Sequence, residues 1–414
     1  MRITWLLEAT DRIWGGVKVA LEDANWLCRR GHDVLVLSRT NRPDWMEIEC
    51  AFEKLEDFTA ASVPASDVVI GTYWTTVPKA LFCGRGAPVH FCQGYEGANP
   101  ENAPIRGRIE EVYRLPCVHH VTISPHLTAT LASEFGIEAR EIVYAIDRNT
   151  HYPCPEREVG EKVRVALVGP REIPWKDIET GIEACRAAHA AGLDLELVRV
   201  TNTRIADSER EQPFAVELHQ NVPPSEMGEI YRSCDLFLGT SWGPEEGFFL
   251  PAVEAMACGV PAVLTDIPCY RSYGEGGYAL FVPPRDPIAM AEAMVAAARL
   301  PAVRSALRAN GLAAASRFTI EAHGTELENA LLAIASDRAA HEERASMFFG
   351  VDRIDEALWA MEAALAAGAD ASAYNRLGVL LARKGDRAGA KRSFQLARSL
   401  DPGNADALAN LAAL

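Results

Sequence analysis

No C-x-x-C pair occurs among the ten cysteines, and no metal framework is visible in their spacing, which removes zinc ribbons and thioredoxin-like redox centres from consideration. Several of these cysteines sit inside apolar runs and read as buried, reduced small hydrophobes. No apolar run approaches the ~20 residues that a membrane-crossing helix needs. The opening Met1-Arg2-Ile3-Thr4-Trp5-Leu6-Leu7-Glu8 is too short and too soon acidic for a secretory signal, so the expected location is the cytoplasm. Basic residues are in deficit, with 41 Lys and Arg against 57 Asp and Glu and a net charge of −16. Nucleic-acid binding depends on neutralising phosphates with cations, so no nucleic-acid partner is expected. Broad attachment to an anionic membrane is disfavoured for the same reason. A local basic patch could still hold the chain peripherally at the inner face of the membrane. The G-x-G-x-x-G dinucleotide fingerprint is also missing. What remains is 414 residues, 49% hydrophobic and 24% charged, enough for two or three globular domains.

One stretch organises the rest: Glu245-Glu246-Gly247-Phe248-Phe249-Leu250-Pro251-Ala252-Val253-Glu254-Ala255-Met256-Ala257-Cys258-Gly259-Val260-Pro261. An acidic, glycine-containing loop feeds a short helix from Leu250 to Ala257. Gly259 ends it, because glycine takes the left-handed C′ conformation most readily. A strand follows from Val260 to Asp266. Free N–H groups and the macrodipole make a helix N-terminus a seat for phosphate. Two carboxylates, Glu246 and Glu254, flank that seat. They would repel an anion, so their task is to accept hydrogen bonds from hydroxyls. Phosphate together with many hydroxyls describes a nucleotide sugar.

Glu246 and Glu254, separated by seven residues within EEGFFLPAVEAMACGVPAV, resemble the donor-site motif of family 4 glycosyltransferases, retaining enzymes of the GT-B fold. The resemblance implies that Glu246 contacts the transferred sugar and Glu254 the ribose hydroxyls. The Gly247–Leu250 loop, with Phe248 and Phe249, would cradle the diphosphate.

From the beginning, the strand Ile3–Leu7, the turn Gly15-Gly16, a helix over 17–30 and the strand Asp33–Leu37 read as a βαβ unit. Glycines at that helix start permit close backbone approach to a ligand. In the resembled family a Gly-Gly here faces donor phosphate and acceptor, which assigns Gly16 to the donor and Gly15 to the acceptor side. Two further strands, Asp67–Gly71 and Pro88–Gln93, lead into loops carrying Tyr73-Trp74 and Gly94-Tyr95-Glu96. With Gln93 these are the candidates for acceptor recognition, ordinary aromatic packing being the other reading. Many family members carry a histidine where this chain has Gln93, which leaves His90 on the preceding strand as the remaining imidazole. His119 and His120 alternate across a strand and read as structural.

The segment from Pro153 to Glu161 reads as an interdomain linker. A second α/β domain opens with the strand Val163–Val168, followed by Gly169-Pro170-Arg171-Glu172-Ile173-Pro174-Trp175-Lys176 and a helix over 177–191. The resemblance makes Lys176 and Arg171 the cations that hold the donor diphosphate, although Arg171 stands one position late and Asp177 replaces the family's glycine. Val222, in Asn221-Val222-Pro223-Pro224-Ser225, falls near the nucleotide base, with Ser225 a possible helix cap. Beyond about residue 335 strands vanish. Tyr374, Leu377, Gly378, Leu381, Ala390, Phe394, Ala397 and Pro402 fall at tetratricopeptide positions, with a looser earlier copy at Ala357, Met361 and Ala364. So few repeats are expected to lean on the rest of the chain.

The expected architecture is α/β of GT-B type: an acceptor domain over 1–155, a donor domain over 160–335, and an all-α repeat domain over 337–414. The implied activity is retaining transfer of a hexose-type sugar from a nucleotide diphosphate sugar to a glycan or glycoconjugate, in surface polysaccharide synthesis. No metal or other cofactor is expected, and the repeats offer a surface for a protein partner or self-association. The alternative is a non-catalytic scaffold of the same fold whose repeats bind partners.

Overall fold

The alternation of short apolar runs with helical segments resolves into two separate, all-parallel sheets in the computed structural model, which describes residues 1–155, 160 and 162–414. In the first sheet β1 (Arg2–Leu7) lies between β2 (Asp33–Ser38) and β4 (Val68–Gly71). Beyond β2 lies β3 (Ala51–Lys54); beyond β4 follow β5 (Ala87–Cys92), β6 (His119–Thr122) and β7 (Arg140–Glu141). The second sheet centres on β8 (Val163–Val168), between β9 (Leu195–Thr201) and β11 (Leu236–Gly239). It is completed by β10 (Ala215–Gln220) outside β9, and by β12 (Ala262–Thr265) and β13 (Ala279–Val282) outside β11. Strands buried on both faces read as continuous apolar runs, which is why the central ones stood out in the sequence. Edge strands β3 and β10 carry AFEK and AVELHQ, half wetted and short of apolar residues, and no sequence pattern announced them.

Strand order reverses between β1 and β4 in one sheet and between β8 and β11 in the other. Ligands of doubly wound sheets bind outside the carboxyl ends at such switch points. Both switch points open toward one cleft, and their loops are the ones singled out above.

Sequence blocks and packing units do not coincide. The helix Ile320–Ala335 ends the 160–335 block but returns to pack on the first domain. Its Gly324 lies against the Trp26 indole, where a Cβ would fall 2.3 Å from the ring, and His323 Nε2 meets Asp23 Oδ1 at 2.8 Å. Thr319, its cap, bridges to Ile146. Conversely, Arg232 donates to the Thr150 carbonyl at 2.8 Å, so the end of the first block is fastened to the second domain. Of the expected linker, residues 156–159 and 161 lie outside the described residues.

The helical extension consists of Arg338–Gly350, Ile354–Ala367, Ala371–Lys384, Arg387–Leu400 and Ala405–Ala413. It leans on the first domain: Arg353 Nη2 donates to the Phe82 carbonyl at 2.6 Å, and Arg85 stacks over Trp359 at 4.2 Å. Within it Gly378 faces the Phe394 ring so closely that a Cβ would lie 2.4 Å away. Overpacking of this kind destabilises by about 1–3 kcal/mol. Gly378→Val should therefore splay this helix pair, and limited proteolysis should clip the extension while residues 1–335 persist. An unchanged digest would contradict the close packing.

Candidate functional site

The carboxyl-end loops of β1, β4, β8 and β11 enclose two adjoining cavities of about 370 and 490 Å³. The smaller lies mainly against the second domain, where the donor is expected, and is called the donor-side cavity. The larger lies against the first domain. Trp14, Gly16, Gln93, Ile173, Trp175 and Glu245 border both.

The helix Leu250–Ala257 starts at the donor cavity with no side chain capping its N-terminus, and Pro251 occupies its first turn. Its end is as expected, with Gly259 at φ +80°. Gly247, Phe248, Phe249, Leu250 and Val222 all line this cavity, as does Gly16. Gly247 is required by the approach of the first domain: a Cβ there would fall 2.1 Å from the Gln93 carbonyl oxygen. Gly16 plays the matching part, since its Cβ would meet Gln93 Oε1 at 1.8 Å while Gln93 Nε2 donates to the Gly16 carbonyl at 3.1 Å. Gln93 is thus a clamp between the two glycines, at the junction of both cavities.

Glu246 is 5% exposed and accepts from Lys176 Nζ at 2.5 Å and from Ser241 Oγ at 2.8 Å on the same oxygen. The Lys176 ammonium also lies 4.3 Å from the centre of the Phe249 ring. Asp177, standing where the resembled family has glycine, adopts that residue's left-handed backbone at φ +47°. Glu254 accepts from Lys18 Nζ at 3.0 Å and from Tyr231 OH at 3.1 Å. Burial alone would raise the Glu254 carboxyl, but Lys18 and His151 outweigh it and hold it at about 2. Burial likewise opposes the charged form of Lys18, yet Glu22 and Glu254 keep its ammonium above the ordinary lysine range.

Several sequence expectations need correction. Arg171 is exposed and turned out of the cleft, donating to Ser208 Oγ at 2.6 Å and Glu179 Oε2 at 2.8 Å. The one-position offset puts Pro170, not the arginine, on the cavity wall. Gly15, expected on the acceptor side, lines the donor cavity. Trp74 lines neither cavity and packs beside the cluster of Tyr113 and Leu131, whereas Tyr73, Tyr95 and Glu96 do line the larger one. His90 is fully buried against His120, with Nδ1 atoms 3.2 Å apart. Burial and that neighbour push it well below the usual histidine range, so it offers the cleft no base. Ser225 makes no cap; the helix Met227–Arg232 follows a turn at Pro224–Glu226.

Lys18 was missed. It sits in the first turn of the helix Gly15–Arg29, where a cation opposes the macrodipole. That mismatch was its only signal. Asn202 was missed as well, although its Nδ2 donates to the Ile13 carbonyl at 2.5 Å and joins the domains across the cleft. A third bond across it runs from Ser124 Oγ to the Gly247 carbonyl at 2.8 Å.

Two doubly wound parallel domains with a cleft between their facing carboxyl edges define the GT-B architecture. Residues 162–299 match the family model described as Glycosyl transferases group 1. A 108-residue stretch is 38% identical to the lipopolysaccharide core biosynthesis mannosyltransferase LpsB of Rhizobium meliloti (strain 1021). That match spans 25% of this chain and 28% of the relative. Among solved structures, sucrose-phosphate synthase from Thermosynechococcus elongatus superposes with a TM-score of 0.65 at 17% identity, over 80% of this chain and 98% of its own. Anabaena HepE in complex with UDP-glucose gives 0.65 at 15% identity, over 80% and 99%. At such identities the likeness is one of fold.

Proposed function

We propose that this chain is a retaining glycosyltransferase that moves a hexose-type sugar from a nucleotide diphosphate sugar to a glycan or glycoconjugate. The observation that carries the reading is the convergence, in one cavity, of an uncapped helix N-terminus, the Lys176–Glu246 pair and Glu254. The helix N–H groups and Lys176 suit a diphosphate. Glu254 suits the ribose hydroxyls and Glu246 the transferred sugar.

As the bond from anomeric carbon to diphosphate oxygen breaks, negative charge grows on the leaving phosphate, and Lys176 opposes it. The acceptor oxygen attacks the same face of the sugar, and its proton passes to the departing phosphate oxygen. Glu246 orients the sugar and forms no covalent bond to it. This route asks for positioning rather than a protein nucleophile. It is also proposed to proceed without a metal, so activity should persist in EDTA. Among the described residues, no group of three or more His, Cys, Asp or Glu is placed to hold one.

The relative LpsB is named for lipopolysaccharide core biosynthesis and HepE was crystallised with UDP-glucose, which puts surface glycan assembly and UDP sugars first among the roles and donors to try. No helix among the described residues is long and apolar enough to cross a membrane. Placement in the cytoplasm or at the inner membrane face is part of the proposal.

A thermal-shift panel of UDP, GDP, dTDP and ADP with their sugars tests it, because binding to the native state raises apparent stability by mass action. One nucleotide should raise the melting temperature of the wild type, and Glu254→Ala should blunt that rise. The outward turn of Arg171 favours a second reading, a scaffold of this fold whose helical extension recruits partners. Folded protein that responds to no nucleotide would select the scaffold.

A further inference from the structure

The two cavities differ in charge. Two ammonium groups, Lys18 and Lys176, border the donor cavity together with the carboxyl groups of Glu245, Glu246 and Glu254. The larger cavity is bordered by three acidic side chains, Glu8, Glu96 and Glu245, the last shared with the donor cavity, and by no lysine, arginine or histidine among the described residues. Glu8 is partly balanced from behind by Arg39, 3.4 Å away, and accepts from Thr75 Oγ1. Among the described residues no cation lies beside Glu96, and burial pushes its carboxyl up to about 7. Its carboxylate accepts from the Trp74 N–H at 3.2 Å and from the Tyr113 hydroxyl. The rest of the wall is what a sugar ring needs: the rings of Trp14, Trp175 and Tyr73, and the amides of Asn99 and Asn102. Tyr73 is 39% exposed, an open aromatic face at the rim.

An anion entering such a space would leave water for an acidic wall with no cation on it to meet the charge, an unfavourable element that sets specificity. Hydroxyls and ammonium groups, by contrast, are donors, and carboxylates only accept. Building on the transferase reading, we propose that the larger cavity selects an acceptor sugar that is neutral or amino-bearing, and refuses one carrying a carboxylate or phosphate at or beside the accepting hydroxyl. The aromatic rings hold the sugar's apolar faces and the carboxylates receive its O–H or N–H groups.

The test uses the full chain with the donor identified by its thermal shift, and acceptors matched in ring and aglycone: a glucoside, a glucosaminide, a glucuronide and a glucoside 6-phosphate, with the mannose counterparts. The neutral or amino members should be turned over with kcat/KM at least ~10-fold above their anionic partners. Glu8→Gln should narrow that ratio while leaving the nucleotide thermal shift in place. Equal or better use of the glucuronide or phosphate would overturn the proposal. So would failure of every neutral member to be glycosylated, or to bind the nucleotide-loaded protein, when the nucleotide itself binds. Absence of any nucleotide shift would instead count against the transferase reading on which the proposal rests.

Discussion

Lys18→Met should be the most damaging single substitution in the cleft, lowering stability by about 3–5 kcal/mol. Lys18 and Glu254 are 8% and 5% exposed, and they bridge the two domains at 3.0 Å. Removing the ammonium leaves a buried carboxylate with only Tyr231 as a close donor, its other neighbour, His151 Nε2, being 3.9 Å off. Burial also keeps that histidine below its usual range and therefore neutral at pH 7. The loss is the penalty of an unpaired buried charge, so Lys18→Met with Glu254→Leu should regain most of it.

Acid unfolding gives a second check. The Glu254 carboxyl sits at about 2 in the folded chain against its ordinary 4.5. Its stabilisation is therefore complete above about pH 4.5 and is lost as pH falls toward 2. Without Lys18 the folded-state value climbs, and acid unfolding should begin at higher pH. Urea titrations of the single and double variants across pH 3–7 would decide. A single variant within ~1 kcal/mol of wild type would show that the pair is no interdomain fastening.

Lys176→Ala should lower kcat by about 10²–10³, the range measured when one preorganised stabiliser of developing charge is removed. Arg171 is turned away and Lys18 lies at Glu254, whereas the Lys176 ammonium lies 4.3 Å from the centre of the Phe249 ring, against the loop proposed to hold the diphosphate. Its truncation also frees Glu246, which among the described residues keeps only Ser241 as a side-chain hydrogen-bond donor, and the transferred sugar should lose orientation with it. Lys176→Arg should restore part of the rate. The nucleotide thermal shift separates chemistry from folding: it should weaken but remain in Lys176→Ala. A wild-type kcat in that variant would remove Lys176 from the mechanism and with it the assignment of leaving-group stabilisation.

Much of this molecule is legible in one dimension because its signals are local. The helix Leu250–Ala257, its stop at Gly259 and the two acids on either side of its start are all set within the fourteen residues from Glu246 to Gly259, over which spacing alone fixes geometry. The central strands declared themselves as apolar runs because both sheet faces are covered, and Gly378 and Phe394 because two packed helices need a small residue opposite a large one. The loop and helix from Glu246 to Ala257, the glycine turn and the helical character of the C-terminal region could therefore be read directly.

What the sequence could not decide is which side chains meet across the cleft. Lys18 and Glu254 are separated by 236 positions, Asn202 and Ile13 by 189, and no periodicity links them. Arg171 fits a motif within one residue, yet one residue in a loop is enough to turn a side chain from the cavity to solvent. The return of Ile320–Ala335 to the first domain was hidden for the same reason, because its partners Trp26, Asp23 and His32 belong to a helix and a turn folded long before it in the chain. The sequence by itself determined the elements, their order and the chemistry gathered on each loop, since these depend on neighbours along the chain. Only the tertiary structure decided the pairing of charges and the division into a cavity that holds acids and ammonium groups together and a larger one that holds acids alone, since both arise from burial between domains, where desolvation makes every unpaired charge costly.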